Sequence, residues 1–290
     1  MIEMLTTLKP IMPEGIKCAV SLTFDFDVLS PWVGPFDKTT PTAISRGEFG
    51  LVGTSRILEL LDKYSIKSTW FIPGYDVETF PEVVKDISRR GHEIGHHGYL
   101  HELPLGLKVE EEEAILKRGT DAIRNAIGTY PRGYRSPAWD LSESSIELLL
   151  KHDFVYDSSM MGHDYMPYFV RKGDKPVKDG PYRFGSDTRL IEMPVYWGLD
   201  DYPHFEHIGG GAGGGIQGLR AGSAVLENWI ADFDYLYSNV NGGIYNICFH
   251  PFVTGRGHRM NVLEHLIMHI NGKDGVMFST LFDIARLCVR

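Results

Sequence analysis

Two aspartates two positions apart, Asp25 and Asp27, close the run Ser21-Leu22-Thr23-Phe24-Asp25-Phe26-Asp27. Strand periodicity turns both carboxylates to one face, where they repel each other unless a cation or a proton lies between them. A metal ligand beside a general base satisfies that requirement, with Asp27 as ligand and Asp25 as base, although an Asp-rich turn after a strand would look the same. Residues 91–102, Gly91-His92-Glu93-Ile94-Gly95-His96-His97-Gly98-Tyr99-Leu100-His101-Glu102, place four histidines just past another short strand. His97 and His101 converge on one ion if the segment turns helically. Together with Asp27 they offer two imidazoles and one carboxylate to a divalent metal, leaving positions open for water and substrate as a catalytic site requires. His96 should face away from His97 on an extended chain, and His92 precedes the strand, so both read as supporting or structural.

Other chemistry-bearing residues also follow short apolar runs. Arg135, in Arg132-Gly133-Tyr134-Arg135-Ser136-Pro137-Ala138-Trp139, could hold Asp25 ionised, because a nearby cation lowers a carboxylate pKa; a surface arginine in a turn is the competing reading. His250, at the end of Ile247-Cys248-Phe249-His250-Pro251, could protonate a leaving nitrogen, or could simply cap a core strand. Asp157 is the expected hydrogen-bond partner of that imidazole, with Glu192 as the fallback. Trp139, Tyr196, Trp197 and Phe252 could wall a substrate pocket, or belong to the core. The glycine run within 209–218 contains GxGxxG by composition alone and is not embedded in a dinucleotide-binding unit; it reads as a lid over the site or as a plain linker.

These residues need a scaffold that gathers strand ends. β-branched and aromatic runs alternate with helix-period segments, the pattern of parallel strands joined by crossover helices. Strands are expected over 18–24, 67–72, 93–96, 132–135, 154–157, 190–196, 245–250 and 276–280. Helices are expected over 51–64, 109–127, 142–151, 219–237 and 261–270, with another opened by a capping box at Thr79-Phe80-Pro81-Glu82 and ended at Gly91. The Gly-, Pro-, Asp- and Tyr-rich stretch 160–188 reads as an inserted loop or hairpin. Seven to eight such units make a distorted (β/α) barrel, whose active site lies at the carboxyl ends of the strands. No composition break marks a second domain, so residues 1–290 read as one catalytic domain.

Composition narrows the function classes. A formal net charge of -9 and a pI of about 5.7, without a cluster of Lys or Arg, argue against a nucleic-acid partner and against attraction to anionic membranes. Three scattered cysteines form neither a disulfide framework nor a metal-binding pair. Without a secretory pattern at the start or an apolar stretch of membrane-spanning length, the cytoplasm is the expected compartment.

The motifs together resemble the polysaccharide deacetylase family, also called carbohydrate esterase family four. Thr23-Phe24-Asp25-Phe26-Asp27 is similar to its TFDDG motif, His97-Gly98-Tyr99-Leu100-His101 to its H-[ST]-x-x-H motif, and Arg135-Ser136-Pro137 to its Arg-x-Pro motif; GHEIG stands unchanged at 91–95, and His250 matches the final histidine motif. The resemblance implies a distorted (β/α) barrel, one zinc-like metal on Asp27, His97 and His101, Asp25 as base and His250 as acid. Phe26 between the two acids and Gly98 in place of Ser or Thr depart from the pattern. These variants look more like the branch containing cyclic imide hydrolases, allantoinase-like enzymes and peptidoglycan deacetylase-like proteins, in which homo-oligomers, dimers or tetramers, are usual. The expectation is therefore a metal-dependent hydrolase of non-peptide carbon–nitrogen bonds acting on a small cyclic imide or ureide. An N-acetylated sugar or peptidoglycan unit is the alternative substrate. A metal-bearing barrel that binds a carbohydrate or a partner without turnover is the alternative of another class.

Overall fold

The computed structural model describes residues 5–206 and 218–288. Among the described residues, nine strands form one sheet: β1 (Cys18–Asp25), β2 (Thr69–Ile72), β3 (Glu93–His96), β4 (Gly133–Tyr134), β5 (Tyr156–Asp157), β6 (Tyr168–Lys172), β7 (Ser186–Glu192), β8 (Ile244–Phe249) and β9 (Val276–Phe278). The order across it is β6-β7-β5-β4-β3-β2-β1-β8, with β9 added beside the start of β1. Every pairing is parallel except β6 with β7, so the sheet is a curled, mostly parallel half-barrel. β1 is buried along its whole length, as expected of a central parallel strand covered on both faces.

The segment that leaves β7 crosses the open side of the curl and is stitched to β8. Asn246 Nδ2 donates to the carbonyls of Met193 and Pro194 at 3.2 and 3.1 Å, and a single bridge pairs Asp200 with Cys248. The segment that follows β7 is thereby laid alongside β8, which matters for the site. Within 160–188 the expected insertion is a hairpin, β6 returning antiparallel on β7.

The helices expected from 142, 219 and 261 start at Ser145, Gly222 and Gly257, and two further helix starts differ from the expectation in instructive ways. The helix Pro41–Lys63 begins well before residue 51, because Thr40 accepts from the Ala43 amide and Pro41 fills the first turn. Gly47, Gly50 and Gly53 inside it depress helix propensity and hid that half of the helix. Packing explains them: a Cβ on Gly47 would lie 1.8 Å from the Val28 carbonyl oxygen, and one on Gly53 would lie 2.0 Å from that of Pro251. Only a bare backbone lets this helix press on the turns after both β1 and β8. The capping box at 79–82 does not form. Thr79 ends the preceding helix Gly74–Thr79, and its hydroxyl donates to the Tyr75 carbonyl; Phe80 caps Pro81–Arg89 without a side-chain bond. The helix Val109–Ile127 matches the expected bounds. No helix among the described residues is long and apolar enough to cross a membrane. The glycine run read as a lid falls on 207–217, outside the described residues, apart from Gly218.

Candidate active site

Asp25 is the last residue of β1, and Arg135 stands just past β4. The buried Arg135 guanidinium donates to Asp25 Oδ1 at 2.8 Å and to the Thr23 hydroxyl at 2.9 Å. Its other edge is fixed by Ser158, whose carbonyl and hydroxyl accept at 3.1 and 2.9 Å. Burial alone would push the Asp25 carboxyl up, but Arg135, His97 and His250 beside it hold it below the usual carboxylate range.

Asp27 lies two residues beyond, in a turn that Asp76 pins. Asp76 is fully buried and accepts from the amides of Val28, Leu29 and Ser30 at 3.2, 2.9 and 3.3 Å, and from the Ser30 hydroxyl at 2.6 Å. These bonds anchor the turn that carries Asp27 to the helix Gly74–Thr79. Burial still pushes the Asp76 carboxyl up to about 6 against those four donors.

His97 follows β3. Its Nδ1 lies 2.7 Å from the Arg135 carbonyl oxygen, which can only accept, so Nδ1 carries the proton and Nε2 offers a lone pair. That Nε2 lies 3.8 Å from Asp25 Oδ2 and 3.7 Å from Asp27 Oδ1. His101 Nε2 lies 3.4 Å from Asp27 Oδ2. The two histidines meet without the helical turn expected from their spacing. Gly98 and His101 are both left-handed, at φ 73° and 56°, and Glu102 accepts from the amides of Tyr99 and Leu100, closing a tight loop. His96 faces away, as expected, yet shapes that loop: its Nδ1 accepts from the Gly98 amide at 3.1 Å while Nε2 donates to the Leu116 carbonyl at 3.0 Å. His92 accepts from the Ser68 amide, and burial holds its imidazole down at about 4.

The ligand atoms of Asp27, His97 and His101 all lie within 4.8 Å of one another, and Asp27 Oδ1 is buried without a hydrogen-bond donor. Two imidazole nitrogens and a carboxylate oxygen bound at ~2.0–2.1 Å to one tetrahedral ion would sit ~3.3 Å apart. His97 Nε2 lies 3.7 Å from Asp27 Oδ1 and His101 Nε2 3.4 Å from Oδ2, so each imidazole stands near that spacing from one oxygen of the carboxylate. The donor set and the orphaned oxygen fit a divalent cation. A second cluster, Asp25, Cys248 and His250, does not, because the Arg135 guanidinium is bonded to both Asp25 and Cys248.

His250 stands past β8 with Nε2 3.7 Å from Asp27 Oδ2. Its partner is not Asp157 or Glu192. Nδ1 donates to Asp201 Oδ1 at 2.8 Å, the His250 amide also reaches the Asp201 carboxylate, and the Thr254 hydroxyl donates to Oδ2 at 2.5 Å. Asp200 Oδ1 lies 3.5 Å from the same ring nitrogen. Burial would lower the His250 pKa, but Asp200 and the Asp201 hydrogen bond raise it to about 10, so the imidazole is cationic at neutral pH. Topology explains the correction: four strands separate β5 from β8 across the sheet, whereas the chain after β7 runs beside β8. Asp157 instead accepts from the Ser159 hydroxyl at 2.8 Å and is paired with Glu192. Burial pushes both carboxyls up, Asp157 to about 6, and Asp157 Oδ2 and Glu192 Oε2 have no donor. A proton shared between them accounts for both features. An adjacent acid pair at 200–201, the same kind of signal as Asp25 and Asp27, was the sequence cue that went unread.

Above these groups opens a cavity of about 560 Å³. Trp139, Trp197 and Phe252 line it, and the two tryptophans stack with centroids 4.6 Å apart at 19°. Tyr196 does not line it; its hydroxyl turns away to Asp232, and Tyr202 takes a place in the wall. Ala138 and Trp139 are both left-handed at φ 55°, a costly backbone for residues with side chains, and this turn brings Trp139 over the cavity.

The polysaccharide deacetylase family model matches residues 18–156. Among curated proteins, the peptidoglycan deacetylase of Helicobacter pylori is 37% identical over 278 residues, covering 92% of this chain and 94% of that protein. A peptidoglycan deacetylase-like protein of Gibberella zeae is 29% identical, covering 88% and 82%. Among solved structures, a Mycobacterium smegmatis protein assigned to the polysaccharide deacetylases superposes with a TM-score of 0.84 at 34% identity, covering 98% and 94%. An allantoinase shares the fold, with a TM-score of 0.77 at 21% identity over 96% and 92% of the two chains. On the identity and coverage of these relatives, the chain belongs to the polysaccharide deacetylase family.

Proposed function

We propose that this protein is a metal-dependent hydrolase of non-peptide carbon–nitrogen bonds that removes the acetyl group from an N-acetylated amino sugar of the peptidoglycan type. The observation that carries the reading is the convergence of Asp27, His97 and His101 beside a second, Arg135-held carboxylate and a cationic His250. A divalent ion on the first three would supply Lewis acidity, polarising the acyl carbonyl and making water a stronger nucleophile near neutral pH. Asp25, ionised by Arg135, accepts the proton of the attacking water. His250 presents Nε2 to the site and protonates the departing nitrogen, while Asp201 holds Nδ1 and fixes the ring. The aromatic wall turns the acetamido group toward this base and acid and sheds water from the cavity.

The names of the relatives support acetyl removal over the small cyclic imide or ureide expected from the sequence. That second reading keeps one observation in its favour, the largely apolar wall of the cavity. Zinc as the resident ion and a dimer or tetramer as the working form belong to the proposal as well. The test is a panel of N-acetylglucosamine oligomers, peptidoglycan fragments, succinimide, hydantoin and allantoin with the zinc-loaded enzyme, scored by acetate release and by ring opening. Acetate release from the sugars supports the assignment. Ring opening without acetate release transfers it to the imides, and inertness toward the whole panel leaves a binding protein.

A further inference from the structure

Among the described residues, the polar lining of the cavity is Asp25, Asp27, His97, His101, Asp200, His250 and the phenol of Tyr202. The proposed chemistry gives a direct part to all of the charged groups except Asp200, which acts on it only as a charge beside His250. Asp200 Oδ1 accepts from the Tyr202 amide at 2.9 Å, and the His250 proton nearby goes to Asp201. Its other oxygen meets no donor among the described residues, and the residue lines the cavity. A carboxylate only 3% exposed and lacking a donor on one oxygen is costly, and a ligand that brings a donor relieves the cost. The remainder of the wall, including Phe36, Leu103, Trp139, Trp197 and Phe252, offers an apolar face and few groups to read further hydroxyls.

Resting on the deacetylase reading, we infer that Asp200 determines specificity by accepting a hydrogen bond from an O–H or N–H on the atom beside the acetamido-bearing carbon, while an apolar ring face lies on the Trp139–Trp197 stack. Position supports the vicinal placement. Asp200 flanks the Nδ1 edge of His250, one imidazole width from the Nε2 that meets the leaving nitrogen. The donor it meets is therefore close to that nitrogen and not far along a polymer.

A matched pair of probes tests this: trans-2-acetamidocyclohexanol, which carries one vicinal hydroxyl on an apolar ring, and N-cyclohexylacetamide, which lacks it. The wild-type enzyme should prefer the alcohol by about tenfold or more in kcat/KM, the range of a hydrogen bond to a charged group. In Asp200→Asn, which keeps an oxygen to cap the helix start, the preference should shrink below about threefold; because Asp200 also stands beside the His250 ring, kcat falls for both probes alike, and the ratio between them is the readout. Asp200→Ser is a second capping variant, and melting curves report whether either fold is disturbed. Trp197→Ala, at a side chain already 46% exposed, should weaken both probes alike. An undiminished preference in both Asp200 variants, with any loss of kcat equal for the two probes, overturns the inference. Wild-type turnover of N-acetylglucosamine oligomers with neither cyclohexyl probe cleaved also overturns it while sparing the deacetylase reading; inertness toward sugars and probes alike removes both.

Discussion

The two sides of this site are finished to different degrees. Asp201, under His250, has its oxygens met by the His250 ring, the His250 amide and the Thr254 hydroxyl, so that carboxylate is electrostatically complete within the protein. Asp27, opposite, has a buried Oδ1 with no donor and two imidazoles turned toward it, and so needs a cation. A buried carboxylate without a donor costs free energy that a bound ion can offset. The incomplete carboxylate, Asp27, is where a cation enters, and the complete one, Asp201, is where a proton is held ready on His250. Asp25 stands between, tied to Arg135 but still within 3.8 Å of His97.

Variants can break that contrast or sharpen it. The largest effect is expected for Asp27→Ala and His97→Ala, which should abolish tight metal binding and reduce acetate release by about 10³-fold or more, read by elemental analysis and kcat/KM. Next, Asp201→Asn should lower kcat by roughly 10²-fold, within the range for general acid catalysis, while metal content stays at the wild-type value. Asp157→Asn should leave kcat within about threefold by the same reasoning. If Asp157→Asn were the more damaging of the two for kcat, the assignment of the His250 partner would be reversed. Asp76→Asn removes charge from the turn behind Asp27 and should weaken metal affinity by roughly 10- to 100-fold, the usual scale for a group that orients a ligand. Its metal-free melting temperature separates that loss from general unfolding.

The smallest effect concerns stability and pH. Asp157 and Glu192 are both raised in the folded state, Asp157 to about 6, so the fold holds protons that the unfolded chain, with Asp near 3.9, releases sooner. This stabilisation is fully present below pH ~4 and is lost as the pH climbs through the folded values. Glu192→Gln keeps an oxygen for the Ser159 and Met160 amides and gives Asp157 a permanent donor. It should therefore match the wild type while the pair holds its shared proton and exceed it once the pH passes the raised Glu192 value, read by urea unfolding across a pH series. A variant less stable than wild type at pH 8 would mean that the pair does not share a proton.

The same contrast explains what could be read from the sequence. β3 lies at the expected 93–96, and β1 differs by one residue, because each is a short apolar run whose end carries the chemistry. Asp25, Asp27, His97 and His101 were legible for that reason: spacing within a strand or a loop is local information. Even there the means differed, since left-handed Gly98 and His101, not a helical turn, bring the imidazoles together. The partner of His250 was not legible, because it comes from 49 residues upstream and depends on a seam that only the folded sheet reveals. Tyr196 was misassigned by sequence adjacency: it neighbours Trp197, but its hydroxyl faces Asp232 on the helix Gly222–Asn239. The glycines of Pro41–Lys63 looked like helix breakers until their contacts with Val28 and Pro251 supplied the reason for them.

The central claim is that Asp27, His97 and His101 share one divalent ion. Calorimetric titration of the metal-free protein with zinc, repeated on His101→Ala and on Asp201→Asn, tests it most directly. The account predicts one tight equivalent for the wild type and for Asp201→Asn, and a loss of at least about 100-fold in affinity for His101→Ala. Equal zinc affinity in wild type and His101→Ala, or loss of binding in Asp201→Asn alone, would contradict it.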